Sequence, residues 1–224
     1  MTTTRTFEAI IFDHDGTLVD TETPDFLAWE MLYREYGAII TKEHWADVAV
    51  GHMNGYRQLF AELMAQNGNA ELDSAGLRRH LEQFWALTLE NVELMPGAAG
   101  LLSQLRQANY PLAVATASDR KWVTRWLTRF KLDPYFQIVT TMDDVVNNKP
   151  APDVYLLAAE RLGVSAERCL VFEDSLAGLQ AAKAAGMRAV VIPSHVTASL
   201  DFSLADHIVS SLEHVTPAWI ESLL

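Results

Sequence analysis

The chain has 224 residues, of which half are apolar, and a formal net charge of −12. This length suffices for one core and a smaller inserted domain, and the apolar fraction excludes a disordered chain. The acidic balance argues against nucleic acid or an anionic membrane as the main partner, because both repel negative charge. An anionic substrate must therefore be met by local positive charge or by a metal ion.

Cysteine usage and hydropathy bear on the compartment. The single cysteine, Cys169, lies in an apolar run and cannot form an intramolecular disulfide, which fits a reducing environment. The segment 1–7 contains no apolar signal core, and no run of the sequence is long enough to span a bilayer. We therefore expect a cytoplasmic protein, and a monomer rather than an oligomer.

The first predicted element is a strand over 9–12, a short run rich in β-branched and aromatic residues. Such a run is typical of a strand that is buried on both faces in a parallel sheet. Asp13 and Asp15 follow directly, and Gly16 begins a turn. Two carboxylates at the end of a buried strand are costly unless a cation or a proton neutralises them. This strand end is therefore a candidate ligand site.

The pattern changes between residues 23 and 89, where apolar residues recur at helical spacing and no convincing strand is found. Helical segments are predicted over 26–36, 41–50, 55–66 and 73–90. They form an all-helical block that can pack as a small bundle. Its aromatic residues fit either the core of the block or a surface for stacking a sugar, and the core is the preferred interpretation: Trp29, Tyr33, Trp45 and Trp85.

Beyond residues 95–97, Met-Pro-Gly, predicted helices alternate with predicted strands. The helices cover 98–108, 118–131, 152–163, 175–185 and 217–224. The strands cover 112–116, 136–139, 168–173, 188–192 and 207–209. This alternation predicts an α/β fold with a doubly wound parallel sheet. The strand over 9–12 belongs to that sheet, so the helical block is an insertion.

Polar residues also follow later strands of the predicted sheet. Thr116 ends the second strand and Glu173 and Asp174 end a later one, while Lys149 lies in a loop between them. The carboxyl ends of parallel strands meet at one edge, and hard oxygen ligands there suit Mg²⁺. The helix that begins after Ser118 offers N–H groups to an anion. Each feature alone also fits a turn, a helix cap or a solvated charge, but their order fits one site.

The residues at these strand ends resemble the motifs of the haloacid dehalogenase (HAD) superfamily, specifically phosphatases and sugar-phosphate mutases with a helical cap after the first motif. The resemblance covers four ordered segments, DHDGT, AVATAS, NNKPAPD and VFEDSLAGLQAAKAAGM. It implies a Rossmann-like HAD core domain over 1–18 and 92–224. It also implies an all-helical cap domain over 19–91.

The resemblance implies a mechanism for the first motif. Asp13 would be the nucleophile that attacks phosphorus and forms an aspartyl-phosphate. Asp15 would protonate the leaving group as general acid and then activate water as general base. Mg²⁺ would be held by a carboxylate oxygen of Asp13, the backbone carbonyl of Asp15 and Asp174, with Glu173 binding it directly or through water.

The same resemblance implies the phosphate-binding groups. Thr116 and Lys149 would bind the phosphoryl oxygens, and Lys149 would also offset the negative charge of Asp13. Backbone N–H groups of Ala117 and Ser118 would be further donors. The implied partner is a small phosphorylated metabolite.

Two cap positions carry an expectation about selectivity, and one position of the first motif departs from the family pattern. His52 and Asn54 lie in a cap loop over 51–54 and either bind sugar hydroxyls or are surface residues. His14 stands where the family usually has an apolar residue, and its side chain is expected to point away from the metal as a spectator.

The preferred function is a Mg²⁺-dependent phosphatase acting on a small phosphomonoester, most plausibly a sugar phosphate. Haloacid dehalogenases lack a carboxylate at the position of Asp15, which argues against dehalogenation. Mutases of the β-phosphoglucomutase type carry histidine in the cap linker where this chain has Asp25. This difference favours the phosphatase, and the mutase is kept as the alternative. A signalling receiver domain lacks a helical insertion, and a non-catalytic binding protein would not need every motif residue.

Overall fold

The structure is a computed structural model that describes residues 5–51, 54–67 and 73–223. Its strands are β1 (Ala9–Phe12), β2 (Val19–Asp20), β3 (Glu93–Leu94), β4 (Leu112–Ala115), β5 (Ile138–Thr140), β6 (Cys169–Glu173), β7 (Arg188–Val191) and β8 (His207–Ile208). Six of them form one sheet in the order β5-β4-β1-β6-β7-β8. Every neighbouring pair in this sheet is parallel.

The helices fall into two groups along the chain. The cap helices are α1 (Glu22–Glu35), α2 (Lys42–Ala49), α3 (Gly55–Asn67) and α4 (Ser74–Thr88). The helices that alternate with the sheet are α5 (Ala98–Gln107), α6 (Arg120–Arg129), α7 (Asp153–Leu162), α8 (Leu176–Ala184) and α9 (Pro217–Glu221). Among the described residues, side-chain oxygens cap five of these helix starts, at Thr41, Asp73, Asp119, Ser175 and Thr216, and so bind N–H groups that the helix cannot satisfy.

The central strand β1 explains why the sheet is covered on both faces. All four of its residues are buried. Ile10 and Phe12 contribute to one hydrophobic cluster, whereas Ala9 and Ile11 contribute to another. Because successive side chains of a strand point to opposite faces, an uninterrupted apolar run requires a cover on each side. The predicted α/β class with a doubly wound parallel sheet is confirmed.

The cap helices have a hydrophobic cluster of their own, which contains Trp29, Tyr33 and Trp45. Trp85 is only partly buried and packs against the edge of this cluster. The preferred interpretation of these aromatic residues as cap core therefore holds for three of them. None of the helices in the described ranges is long and apolar enough to cross a membrane.

The chain enters and leaves the cap helices through a two-stranded ribbon. Strands β2 and β3 pair antiparallel, with Val19 opposite Leu94 and Asp20 opposite Glu93. The sequence does not predict this ribbon, because two residues in each strand are too few to establish a period. The domain bounds, with a core over 1–18 and 92–224 and a cap over 19–91, stay a prediction.

One predicted strand is displaced along the chain. The strand predicted over 136–139 is observed as β5, Ile138–Thr140. A turn of 3₁₀ helix over Asp133–Tyr135 precedes it, and the side chain of Gln137 accepts a hydrogen bond from the Leu112 N–H at 2.7 Å. The chain therefore joins the sheet later than its apolar residues alone indicate.

Candidate active site

The parallel register brings the polar strand ends to one edge of the sheet. Phe12 lies opposite both Val114 and Phe172 in the neighbouring strands. The residues that follow these positions therefore emerge at the same level. Asp13 directly follows Phe12, and Glu173 directly follows Phe172. This is the arrangement that the sequence predicts for a site at the carboxyl ends of adjacent strands.

A buried lysine joins two of these carboxylates. The Lys149 Nζ lies 2.6 Å from Asp13 Oδ1 and 2.6 Å from Glu173 Oε1. It also lies 4.8 Å from the ring centroid of Tyr155. Burial lowers the pKa of Lys149, but the charges of Asp13 and Glu173 outweigh burial and raise it. Lys149 therefore stays charged at the centre of the site.

Glu173 is fully buried and its hydrogen-bond capacity is used by the protein. Its Oε1 accepts hydrogen bonds from Lys149 Nζ and from the Tyr155 hydroxyl at 2.7 Å. Its Oε2 accepts hydrogen bonds from the N–H groups of Asp174 and Ser175, both at 3.0 Å, and from Ser175 Oγ at 2.9 Å. Burial raises the pKa of Glu173, but Lys149 and these hydrogen bonds lower it below the usual value. Glu173 thus anchors the lysine.

Asp174 has the opposite environment, because neither of its buried oxygens has a hydrogen-bond partner within the described residues. Burial, followed by the charge of Glu173, raises the pKa of Asp174. The pKa of Asp13 is likewise raised by burial and by nearby carboxylates, although Lys149 opposes this. One ligand atom each from Asp13, Glu173 and Asp174 lies within 4.8 Å of the others. Three buried carboxylates at this spacing, with the oxygens of Asp174 unpartnered among the described residues, fit a divalent cation with oxygen ligands.

The backbone next to Asp174 leaves no room for a side chain. A Cβ added to Gly16 would lie 2.1 Å from Asp174 Oδ2, and Gly16 has a φ of +74°. Both the space and the left-handed backbone conformation therefore require glycine. This glycine allows the first motif to turn sharply beside the carboxylate.

Asp15 accepts hydrogen bonds from three side chains. Its Oδ1 accepts from Thr21 Oγ1 at 2.6 Å and from Trp122 Nε1 at 2.8 Å, and its Oδ2 accepts from Ser118 Oγ at 2.6 Å. The fully buried His14 places its Nδ1 3.1 Å from Asp15 Oδ1. Burial raises the pKa of Asp15, but the electrostatic influence of the neighbouring His14 imidazole and the hydrogen bonds lower it below the usual range. Asp15 is therefore a carboxylate in this arrangement.

The predicted phosphate-binding segments are tied to one another. The buried Thr116 Oγ1 accepts a hydrogen bond from the Ser118 N–H at 3.1 Å. The Ala117 carbonyl accepts a hydrogen bond from Asn148 Nδ2 at 2.9 Å. The loop after β4 and the loop that carries Lys149 therefore hold each other in position, and both donors of Ser118 are engaged within the protein.

Two cavities lie beside this site. The cap cavity, of about 460 Å³, is lined by Asp15 and Ser118 from the core and by residues of the cap helices such as Asp25. The outer cleft, of about 580 Å³, is lined by Lys149 and by the predicted specificity residue Asn54, which is exposed. Both volumes are in the range of small-molecule sites. The other predicted cap residue, His52, lies outside the described residues.

Several residues of the site carry no signal that identifies them in the sequence. Tyr155 is buried on the apolar face of α7, and Trp122 lies at helical spacing in α6. Both patterns are typical of core residues, and only the structure reveals that their polar atoms reach Glu173 and Asp15. Thr21 lies six residues after Asp15 in the linker to the cap helices. His14, expected to be a spectator, contacts Asp15.

Comparison with known proteins identifies the family. The family model described as haloacid dehalogenase-like hydrolase matches residues 7–186. The chain belongs to this family. It is 36% identical over 185 residues to the fructose-1-phosphate phosphatase YqaB of Escherichia coli, with 82% of this chain and 95% of that protein covered. It is 35% identical over 187 residues to a phosphorylated carbohydrates phosphatase of Thermotoga maritima, with 82% and 83% covered.

A solved member of the family has the same fold. The crystal structure of CbbY from Rhodobacter sphaeroides in complex with phosphate superimposes with a TM-score of 0.72 at 31% identity, covering 93% of this chain and 96% of that one. The resemblance on which the sequence interpretation rests is confirmed, as is the predicted enzyme class, a phosphatase of the haloacid dehalogenase-like hydrolases.

Proposed function

We propose that this protein is a Mg²⁺-dependent phosphatase that hydrolyses a small sugar phosphate through an aspartyl-phosphate. The observation that carries the proposal is the buried Lys149 between Asp13 and Glu173, beside an Asp174 with open oxygens. A charged lysine stabilises the nucleophile as a carboxylate and gives a phosphate dianion a positive partner. The open carboxylate leaves capacity for the metal.

In the first step, an oxygen of Asp13 forms a bond to phosphorus while the bond between phosphorus and the leaving oxygen breaks. Asp15 donates its proton to that leaving oxygen. The hydrogen bonds around Asp15 favour its carboxylate in the free protein. An arriving phosphate dianion raises the pKa of Asp15, because a second negative charge nearby disfavours the carboxylate.

In the second step, Asp15 accepts a proton from water. The water oxygen bonds to phosphorus, the bond from Asp13 to phosphorus breaks, and phosphate leaves. Asp15 then holds the proton that the next leaving group requires. Thr21, Trp122 and Ser118 keep this carboxyl aimed into the cap cavity, so that one group can serve both steps.

Mg²⁺ would be held by Asp13, Asp174 and the backbone carbonyl of Asp15, where it supplies charge neutralisation of the phosphoryl oxygens. Glu173 accepts five hydrogen bonds from the protein. This supports a role for Glu173 in positioning Lys149, with contact to the metal through water. Thr116 and the Ala117 N–H would bind the phosphoryl oxygens, and the Ser118 N–H would join them by giving up its bond to Thr116 Oγ1.

The substrate class is supported by the relatives. YqaB and the Thermotoga maritima phosphatase are named for phosphorylated carbohydrates. A sugar-phosphate mutase would use the same aspartyl-phosphate and is the alternative activity. His52 and Asn54 are proposed to contact the sugar. The cytoplasmic location and the monomeric state stay predictions from the sequence.

The decisive experiment is a panel of phosphomonoesters, including p-nitrophenyl phosphate, assayed with and without Mg²⁺. We expect phosphate release only with the metal. Asp13→Asn should lower kcat by at least about 10³-fold because it removes the nucleophile. Asp206→Asn, which alters a surface ion pair with Lys183, is the control and should keep activity.

The same variants separate the competing outcomes. Substantial phosphate release by Asp13→Asn would contradict the aspartyl-phosphate mechanism. Conversion of β-glucose 1-phosphate to glucose 6-phosphate without free phosphate would identify the mutase. Mg²⁺ should also raise the unfolding temperature of the wild type and do so less for Asp174→Asn, because a ligand that binds only the folded state stabilises it.

A further inference from the structure

The cap cavity has an unusual charge for an enzyme whose substrate is an anion. Four carboxylates line it, from Asp15, Glu22, Asp25 and Asp119, and among the described residues no lysine, arginine or histidine does so. The buried lysine of the site lines the outer cleft instead. Among the described residues that line the cap cavity, a second negative charge on the substrate would therefore meet carboxyl groups and no cation.

Two of these carboxylates, Glu22 and Asp25, belong to the cap helix α1, and Asp25 is the one held by the other cap helices. It projects from α1, and its Oδ1 accepts a hydrogen bond from Trp85 Nε1 in α4 at 2.6 Å. Its Oδ2 accepts one from the Tyr56 hydroxyl in α3. Burial raises the pKa of Asp25 to about 7, and the nearby charge of Asp15 contributes in the same direction. The hydrogen bonds of Asp25 are satisfied, but its charge is not cancelled.

Four aromatic side chains contribute to the remaining wall of the cap cavity, together with aliphatic and uncharged polar residues. Tyr56 and Trp85 line it with ring centroids 5.8 Å apart, and Trp45 and Trp122 line it as well. Aromatic faces pack against the C–H groups of a polyol, while carboxylate oxygens accept hydrogen bonds from its hydroxyls. Apart from the four carboxyl groups, the described residues that line the cavity offer uncharged contacts.

We infer that the cap cavity selects phosphomonoesters whose leaving group is an uncharged, hydroxyl-bearing molecule, and that Asp25 is the specificity residue that rejects a second anionic group. The inference rests on the proposed phosphatase activity. Asp25 would touch the leaving group, not the reacting atoms. The competing interpretation is that Asp25 only joins α1, α3 and α4.

The test compares fructose 1-phosphate with fructose 1,6-bisphosphate, which differ by one phosphate, at constant free Mg²⁺ and about pH 8, where an Asp that titrates near 7 is ionised. We expect wild-type kcat/KM to favour the monophosphate by about tenfold or more. Asp25→Asn should reduce that ratio by about tenfold, since one charge contributes on the order of this factor at such distances. Equal rates for the two substrates in the wild type would overturn the inference.

Tyr56→Phe is the matched control. It removes one hydrogen bond to Asp25 but keeps the carboxyl group. Because the loss of that bond raises the pKa of Asp25 further, this variant and the wild type are compared at about pH 9, where Asp25 is ionised in both and the ratio between the two substrates should stay near that of the wild type. If Asp25→Asn instead lowers both rates equally, Asp25 is structural and the inference fails. Should Asp25→Asn not fold, Asp25→Ser removes the same charge with a smaller side chain.

A second pair of substrates tests whether the cavity prefers an uncharged leaving group. A tenfold preference for glucosamine 6-phosphate over glucose 6-phosphate would overturn the inference, because the cavity would then select a cation.

Failure of the proposed function has a different signature. In that case neither fructose phosphate nor p-nitrophenyl phosphate releases phosphate. Calorimetric binding of the two fructose phosphates to the wild type and to Asp25→Asn then tests the inference without turnover. Tighter binding of the monophosphate by the wild type, with the difference lost in Asp25→Asn, supports it, and equal binding refutes it.

Discussion

Glu173 at the end of β6 and Asp25 in α1 both accept hydrogen bonds through both carboxylate oxygens, but their surroundings differ in charge. Glu173 contacts the Lys149 ammonium, and its pKa is lowered despite complete burial. Within the described residues Asp25 accepts side-chain hydrogen bonds only from a phenol and an indole, and desolvation raises its pKa to about 7. Neutral donors therefore satisfy the geometry of a carboxylate without replacing the solvation of its charge. The sheet edge therefore stabilises its carboxylates in the charged form, whereas the cap wall does not compensate the negative charge of Asp25.

The strongest way to break this contrast is to remove the cation from the sheet edge. Lys149→Met leaves Asp13 and Glu173 buried without a positive partner. We expect it to reduce the free energy of unfolding by about 3–5 kcal/mol, the usual cost of breaking a buried ion pair, and to lower kcat by about 10²-fold or more. Denaturant unfolding and phosphate release measure the two effects.

Lys183→Met is the matched control for this substitution. Lys183 lies 2.7 Å from Asp206, with side chains 33% and 28% exposed. A partly exposed pair of this kind should cost about 0–1 kcal/mol. Equal losses of stability in the two lysine variants would show that burial does not determine how much an ion pair contributes to the free energy of unfolding. The contrast between Glu173 and Asp25 would then have no energetic support.

A smaller effect is expected from crowding Glu173 without changing any charge. A Cβ added to Gly178 would lie 1.6 Å from Glu173 Oε1. Gly178→Ala should therefore displace Glu173 from its donors and destabilise the fold by about 2–3 kcal/mol. Gly100→Ala is the control, because Gly100 lies in α5 with nothing within 4 Å of an added Cβ. The Gly100→Ala variant should have a free energy of unfolding about 0.5–1 kcal/mol higher than the wild type, because alanine has the higher helix propensity. Thermal unfolding that ranks the two variants in the opposite order would contradict the rigid anchoring of Glu173.

The smallest effect concerns the cap wall and depends on pH. Burial raises the pKa of Asp25 to about 7 in the folded state, against the usual value of 3.8 for an exposed side chain in the unfolded chain. Between these values the folded state binds more protons, so the free energy of unfolding falls as pH rises. Asp25→Asn lacks this group and should gain about 1–2 kcal/mol relative to the wild type between pH 6 and pH 8. Unfolding curves at both pH values measure the difference, and a gain that is independent of pH would argue against the raised pKa.

The sheet and its polar edge can be predicted from the sequence because both follow from short, strong patterns. An apolar run such as 9–12 requires burial on both faces, and parallel topology brings residues that follow such strands to one edge. Asp13 and Glu173 are found where this argument expects them, and Lys149 joins them. The chemistry of the edge is therefore encoded by residues next to each strand.

The cap wall could not be predicted in the same way. Tyr56 and Trp85 occur at helical spacing, and this pattern does not tell whether a polar atom faces a core, a cavity or a distant carboxylate. Asp25 stands out in the sequence only by comparison with mutases. Its partners lie 31 and 60 residues away in the chain, so the arrangement depends on how three helices pack.

The ribbon of β2 and β3 has a consequence for how such an enzyme can change its substrate. Asp20 and Glu93 are paired neighbours on antiparallel strands, so the two ends of the intervening segment are about 5 Å apart. A segment whose ends already meet can be exchanged for another of different length without moving the residues on either side. The sheet edge could thus keep its chemistry while whole helical segments are transplanted at this junction, which makes the ribbon the natural boundary for chimaeras between family members.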